Sequence, residues 1–180
     1  MNQLETNRLI LRPFCDEDAA GMLDYLSNPR VNCFLDDQIS TLEEAAAKVQ
    51  KRKADHSYTA VCLKESQQII GEIFHLKEEP DTYSIGWNFN AVYEGKGYAR
   101  ESAEALLSYL FVEKGARRLY AYVEDDNDRS RTLCERLGMR KEGLFLEFIS
   151  FTTYEDGTPK YENTYQYALL KKEWEQHHSQ

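Results

Sequence analysis

The period of apolar positions changes several times along the chain, and each change marks an element. Leu9-Ile10-Leu11 followed by Arg12-Pro13 is a short apolar run closed by proline, the pattern of a strand near a sheet edge. Ala19, Met22, Leu23 and Leu26 then recur at helical spacing, with Asp16 as the expected N-cap, Asp18 in the first turn and Asn28-Pro29 as the stop. Thr41-Leu42-Glu43-Glu44 reads as a capping box, from which Ala45, Ala46 and Val49 carry a second helix to a basic end near Asp55. Residues Tyr58 to Leu63, Gln68 to His75 and Tyr83 to Phe89 are rich in β-branched and aromatic side chains. The breaks between them, Lys64-Glu65-Ser66 and Glu79-Pro80-Asp81, are short enough to predict an antiparallel meander.

The second half opens with the turn Tyr93-Glu94-Gly95-Lys96-Gly97-Tyr98-Ala99 and a strongly periodic helix through Ala103, Leu106, Leu107 and Leu110, ending near Lys114-Gly115. Arg118 to Val123 reads as a strand and Asn127 to Leu137 as a short helix stopped by Gly138. Leu144 to Phe151 and Tyr165 to Leu170, with Asp156-Gly157 between them, predict a final hairpin with a long loop. The resulting order, β-α-α-β-β-β-α-β-α-β-β, is that of an α/β (α+β) fold with a mixed sheet, not of a doubly wound parallel one.

Composition narrows the class of protein. A chain of 180 residues, 42% hydrophobic and 29% charged, is long enough to bury a core without disulfides and is expected to form one domain over residues 1–180. No apolar run approaches the roughly 18 residues of a membrane span and the start lacks a basic, then apolar, leader, so a cytoplasmic location away from membranes is expected. With 31 acids against 22 bases the net charge is -9, which favours cationic partners and disfavours nucleic acid. The basic cluster Lys48, Lys51, Arg52 and Lys53 fits a helix C-terminus better than a nucleic-acid stripe. Cys15, Cys33, Cys62 and Cys134 stand singly among apolar neighbours, as reduced thiols do, and neither they nor the histidines have metal-ligand spacing; no metal is expected.

The turn at Glu94 to Ala99 carries the clearest chemistry. First-turn amides of a helix lack intrahelical acceptors, and glycines let an anion approach them without a Cβ in the way. The spacing is neither a P-loop nor Gly-x-Gly-x-x-Gly, so NTP hydrolysis and dinucleotide binding lose support; taken alone, the two glycines also suit a plain tight turn.

Ile85-Gly86-Trp87-Asn88-Phe89 through Glu94-Gly95-Lys96-Gly97-Tyr98-Ala99-Arg100-Glu101 resembles the acyl-CoA segment of the GNAT N-acetyltransferases of the RimJ/RimL type. Leu4 to Pro13 is similar to the opening strand of that branch, Asn127-Asp128-Arg129-Ser130 through Gly143 to its late helix and following strand, and Tyr167 to Trp174 to its closing strand. The resemblance implies a mostly antiparallel sheet splayed in the middle, and acetyl-CoA as co-substrate. It implies that Asn88, Phe89 and Asn90 pair with pantetheine and that the amides of Glu94, Gly95, Lys96, Gly97, Tyr98 and Ala99 hold the pyrophosphate. Glu94 departs from the family's Gln or Arg; it is expected to point outward, with Lys96 or Arg100 compensating. Met139 stands for the usual phenylalanine.

Ser130 matches the family's serine beside the cofactor sulfur and Asn127 an asparagine that contacts the pantetheine arm; helix capping by Asn127 or Asp128, with Ser130 merely in the first turn, is the alternative. Glu147 matches the position of a base, and burial among Phe145, Phe148 and Ile149 would raise its pKa; an exposed strand glutamate is the alternative, and Glu72 a weaker rival. Cys134 falls in the apolar pattern and reads as packing. The activity implied is direct acetyl transfer in a ternary complex to a primary amine: a protein N-terminus, a polyamine or a small amine. A non-catalytic acyl-CoA sensor is the competing class. The loops at 28–40 and 151–162, with Phe34, Phe151, Tyr154 and Tyr161, are expected to shape the acceptor cleft, and a homodimer is compatible with this branch.

Overall fold

The computed structural model describes residues 3–178. Its centre is an eight-stranded sheet in the order β1-β2-β3-β4-β5-β6-β8-β7. A short β1 (Leu4–Glu5) folds back on β2 (Leu9–Arg12), which pairs with the meander β3 (Tyr58–Leu63), β4 (Ile69–Glu78) and β5 (Thr82–Phe89), all antiparallel. Beyond β5 lie β6 (Arg118–Glu124), β8 (Pro159–Leu170) and, at the edge, β7 (Arg140–Thr153). Only β5 and β6 are parallel, because the chain crosses between them through a helix.

Helices cover both faces. α1 (Ala19–Leu26) and α2 (Leu42–Ala54) bury Met22, Leu26, Ala45 and Val49 against Ile10, Ala60, Cys62 and Ile69. On the other face α3 (Tyr98–Ser108), its π-helical continuation Tyr109–Glu113 and α4 (Asp128–Arg136) bury Ala103, Leu106, Leu110, Phe111 and Cys134 against Leu9, Ile73, Ile85, Leu119 and Tyr167. The Thr41 capping box closes as the sequence predicts: its side chain accepts from Glu44 N–H and the Glu44 carboxylate returns to Thr41 N–H.

The parallel pairing of β5 and β6 is brief, running only from Thr82–Arg118 to Ser84–Tyr120. Beyond it β5 stays paired with β4 as far as Phe89 and β6 with β8 as far as Glu124, so the facing edges Ile85–Phe89 and Ala121–Glu124 part. Unpaired main chain in a sheet interior is costly unless water or a ligand reaches it. Here the gap opens into a cleft.

Two expectations are corrected. Asp18, not Asp16, organises the start of α1: it is buried, accepts from Cys15 N–H at 2.8 Å and pairs with Arg12 at 2.7 Å. The closing strand ends at Leu170, and Lys171–His178 form a helix, α5, whose Trp174 packs on Phe111 with ring centroids 5.3 Å apart. The basic cluster closes α2 as expected, and the fold pairs Lys48 and Arg52 with Asp37, Arg52 with Glu72, and Lys53 with Asp16. Among the described residues no helix is long and apolar enough to cross a membrane.

Candidate active site

Two glycines in the left-handed region, Gly95 at φ +74° and Gly97 at φ +81°, fold the chain from a 3-10 turn at Ala91–Tyr93 into α3. Glu94 N–H is spent on the carbonyl of Ala91 at 3.1 Å, which removes it from the expected cradle. Among the described residues the amides of Gly95, Lys96 and Gly97 find no internal acceptor, and those of Tyr98 and Ala99 are first-turn amides. The amides left free for an anion are therefore those of Gly95 to Ala99. This turn is clamped from behind by residues the sequence reading did not single out. Glu101 accepts from Thr6 Oγ1 at 2.6 Å, Arg8 N–H at 2.8 Å and Arg8 Nε at 2.7 Å, while Arg8 Nη1 holds the Lys96 carbonyl at 2.9 Å. Burial pushes the Glu101 carboxyl up, but these bonds outweigh it and leave its pKa below the ordinary value.

The gap between β5 and β6 supplies the second half of the site. Asn90 N–H donates to Ile70 O at 2.9 Å, and main-chain groups alternate along an antiparallel strand, so Asn88 also turns its peptide groups toward β4. Those of Trp87 and Phe89 face the gap. The expected backbone contacts at Asn88 and Asn90 are thus corrected: Asn90 is further occupied in capping Val92 N–H, and Asn88 lines the cleft with a side-chain Nδ2 that is buried without a partner among the described residues.

Ser130 stands in the first turn of α4, capped by Asn127 Oδ1 on Ser130 N–H at 3.2 Å, so Asn127 caps the helix and lines the cleft as well. Trp87 Nε1 donates to Ser130 Oγ at 3.2 Å. An indole is a donor only, so Ser130 must accept and its own proton stays available. No regular spacing links Trp87 to Ser130, and only the folded sheet brings them together.

Cradle, gap and Ser130 line one cleft of about 500 Å³ that also takes in Phe34, Tyr93, Leu133 and the guanidinium-bearing Arg30, Arg100, Arg129 and Arg136. A locally cationic wall on a chain of net charge -9 suits a polyanion. Glu94 lies on this wall instead of pointing away, and its compensation comes from neither Lys96, whose ammonium sits over the Tyr93 ring, nor Arg100, which pairs with Glu104. Glu94 instead bridges Arg30, at 2.7 Å, and Arg129, and these guanidiniums hold its carboxyl below the ordinary range. Glu94→Gln is expected to free both arginines for phosphate and tighten acetyl-CoA binding roughly threefold to tenfold, as calorimetry would measure. Weaker binding in that variant would show the bridge to be needed for the cleft's shape.

The expected setting of Glu147 is corrected. It lies in a bulge of β7, where the register with β8 breaks between Phe145 and Ile149, at φ +49° and exposed to solvent. The bulge ends the alternation that would have placed Phe145 and Ile149 beside it, and its N–H is held by Asn163 Oδ1 at 3.0 Å. Glu72 is fully buried, but its carboxylate is taken by Arg52 at 3.1 Å. Burial raises its pKa and Arg52 opposes the rise without cancelling it. Cys134 is buried, and desolvation pushes its thiol up to about 12, as suits packing. Of the loop aromatics, Phe34 lines the cleft while Tyr154 and Tyr161 are exposed outside it.

A parted sheet, a glycine turn with free amides and a serine at the parting thus meet along one cleft. The Acetyltransferase (GNAT) domain family matches residues 8–140, and the chain belongs to this family of acetyltransferases. It is 35% identical over 176 residues to the uncharacterized N-acetyltransferase YnaD of Bacillus subtilis (strain 168), covering 95% of this chain and 98% of that protein. The crystal structure of a GNAT-family acetyltransferase from Bacillus anthracis superposes with a TM-score of 0.85 at 30% identity, covering 95% of this chain and 99% of that one. The fold is also shared, at 17% identity and a TM-score of 0.74 over 94% of this chain and 98% of the other, with RimL, a ribosomal L7/L12 alpha-N-protein acetyltransferase solved with coenzyme A.

Proposed function

We propose that this acetyltransferase moves the acetyl group of acetyl-CoA to a primary amine by direct attack in a ternary complex. The carrying observation is the coincidence, along one cleft, of the free amides of Gly95 to Ala99, the unpaired peptide groups of Trp87 and Phe89, and the Ser130 hydroxyl. When bound, acetyl-CoA supplies an activated acyl carbon and a thiolate leaving group. The cradle amides and the arginines hold the diphosphate. Trp87 and Phe89 take the pantetheine arm as a missing strand would be taken, with Asn127 beside it. The acceptor ammonium releases one proton to water and attacks the acyl carbon as the neutral amine, Phe89 N–H donates to the charge gathering on the thioester oxygen, Ser130 passes its proton to the departing thiolate, and the proton left on the attacking nitrogen restores the Ser130 hydroxyl.

Protein N-termini, polyamines and small amines all satisfy this chemistry, and a panel of them distinguishes the acceptors. Free CoA should appear only with an amine present, and mass spectrometry should find the amine, not the protein, 42 Da heavier by roughly the mass of one acetyl group in place of one hydrogen. Tight acetyl-CoA binding with no CoA release across the panel would instead identify a sensor.

A further inference from the structure

We propose that Glu124, with Thr164 and Cys33 beside it, forms the acceptor subsite and holds the ammonium group of the incoming amine. This assignment rests on the acetyl-transfer reading above. Glu124 is the last residue of β6, on the strand that parts from β5. Leu119, Ala121 and Val123 point into the core under α3 and α4, so alternation sets Glu124 on the opposite face with Tyr120 and Tyr122.

Glu124 is only 8% exposed, a position in which a carboxylate needs a cation or several strong donors. Among the described residues no lysine, arginine or histidine forms an ion pair with it. Cys33 lies near enough that burial and the Glu124 carboxylate together push its thiol pKa up, and a thiol is at best a weak donor to that carboxylate. A second observation is independent of the first. Thr164 lies directly opposite Glu124 in the β6–β8 register, is 4% exposed, and its Oγ1 is buried with no hydrogen-bond partner among the described residues. A carboxylate and a hydroxyl on one face, both short of partners, are two acceptors for the three N–H bonds of an alkylammonium.

The surroundings select the same ligand. Glu124 lines a cavity of about 400 Å³ with Asn32 and Asp126, and Arg30, Asn127 and Arg129 of its wall also line the cofactor cleft, so the two spaces adjoin. Both arginines of that wall are engaged by Glu94. Glu162, bonded to Asn32 Nδ2 at 2.7 Å, adds negative charge to the Cys33 environment.

The test is Glu124→Gln, which keeps shape and removes charge, with Thr164→Val as a second variant. Glu124→Gln is expected to raise the KM of every accepted amine about tenfold or more while the acetyl-CoA KM stays within about twofold, with a smaller rise in Thr164→Val. Its Tm should hold or rise, because a buried carboxylate without a cation is a cost to the unliganded fold. An unchanged amine KM, or a lowered Tm with an unchanged amine KM, overturns the proposal. Should the wild-type protein release no CoA with any amine, the acetyl-transfer reading fails and Glu124 is judged separately by Cys33 labelling. In that measurement n-butylammonium chloride should slow N-ethylmaleimide modification of Cys33 in the wild type but not in Glu124→Gln. No slowing in the wild type overturns the assignment.

Discussion

Ser130→Ala is expected to lower kcat about a hundredfold or more, the usual contribution of a positioned proton donor, while leaving the acetyl-CoA KM nearly unchanged. The expectation follows from three contacts. Asn127 fixes the main chain at the head of α4, Trp87 Nε1 occupies one lone pair of Ser130 Oγ, and no protein acceptor among the described residues takes the hydroxyl proton. The proton is thus left for a group entering the cleft. Trp87→Phe keeps the ring and deletes only the hydrogen bond; a loss of about 1 kcal/mol of positioning corresponds to roughly a fivefold fall in kcat. Steady-state kinetics with acetyl-CoA and any active amine checks both. If Ser130→Ala keeps kcat within about threefold, the proton comes from solvent and the Trp87–Ser130 pair is structural.

How much of this was legible beforehand depends on the distance over which each feature is written. The amphipathic stripe of α3, the Thr41 capping box and the meander β3-β4-β5 are encoded within a few residues of themselves, and all appear in the fold. The glycine turn is local too, since φ > 0 at Gly95 and Gly97 is a property of the residue type. What was missed is long-range. Arg8 and Thr6 reach Glu101 across more than ninety residues, and Arg30 reaches Glu94 across 64. A charge that looks adverse in sequence, Glu94 at a phosphate turn, is neutralised by a loop and a helix that no local pattern connects to it.

The treatment of Asn88 and Asn90 shows a different limit. A sequence can place residues in β5, but which main-chain groups face the gap is decided by the β4 register, and one hydrogen bond, Asn90 N–H to Ile70 O, settles it for the whole strand. Glu147 fails for a related reason. Alternation predicts its face only if the strand is regular, and the bulge between Phe145 and Ile149 rotates it into solvent. Glu124 escaped notice because an acidic run, Glu124-Asp125-Asp126, reads as a solvated loop until β8 covers its first member.

Gly97→Val is expected to weaken acetyl-CoA binding about a hundredfold or more, the second large effect in this site. Gly97 is the N-cap of α3 at φ +81°, a conformation that costs an L-residue about 1–2 kcal/mol and a β-branched one more. A Cβ there would touch only Arg8 Nη2, at an ordinary contact distance of 3.4 Å, so the backbone strain is what opposes the substitution. Relief requires the turn to rotate, and rotation turns the amides of Lys96 and Gly97 away from the diphosphate. Losing two hydrogen bonds to a charged group, at about 1.5–3 kcal/mol each, accounts for the predicted drop. Gly95→Ala separates strain from contact, because at φ +74° its Cβ would meet nothing within 4 Å. That variant should lose about 1 kcal/mol of stability and only a few-fold of affinity. Gly97→Asn, whose side chain tolerates the left-handed region, should fall between the two. Calorimetric titration of all three with acetyl-CoA orders them. Equal affinities would mean that the main chain at this turn does not hold the diphosphate, and the site would then depend on its arginines alone.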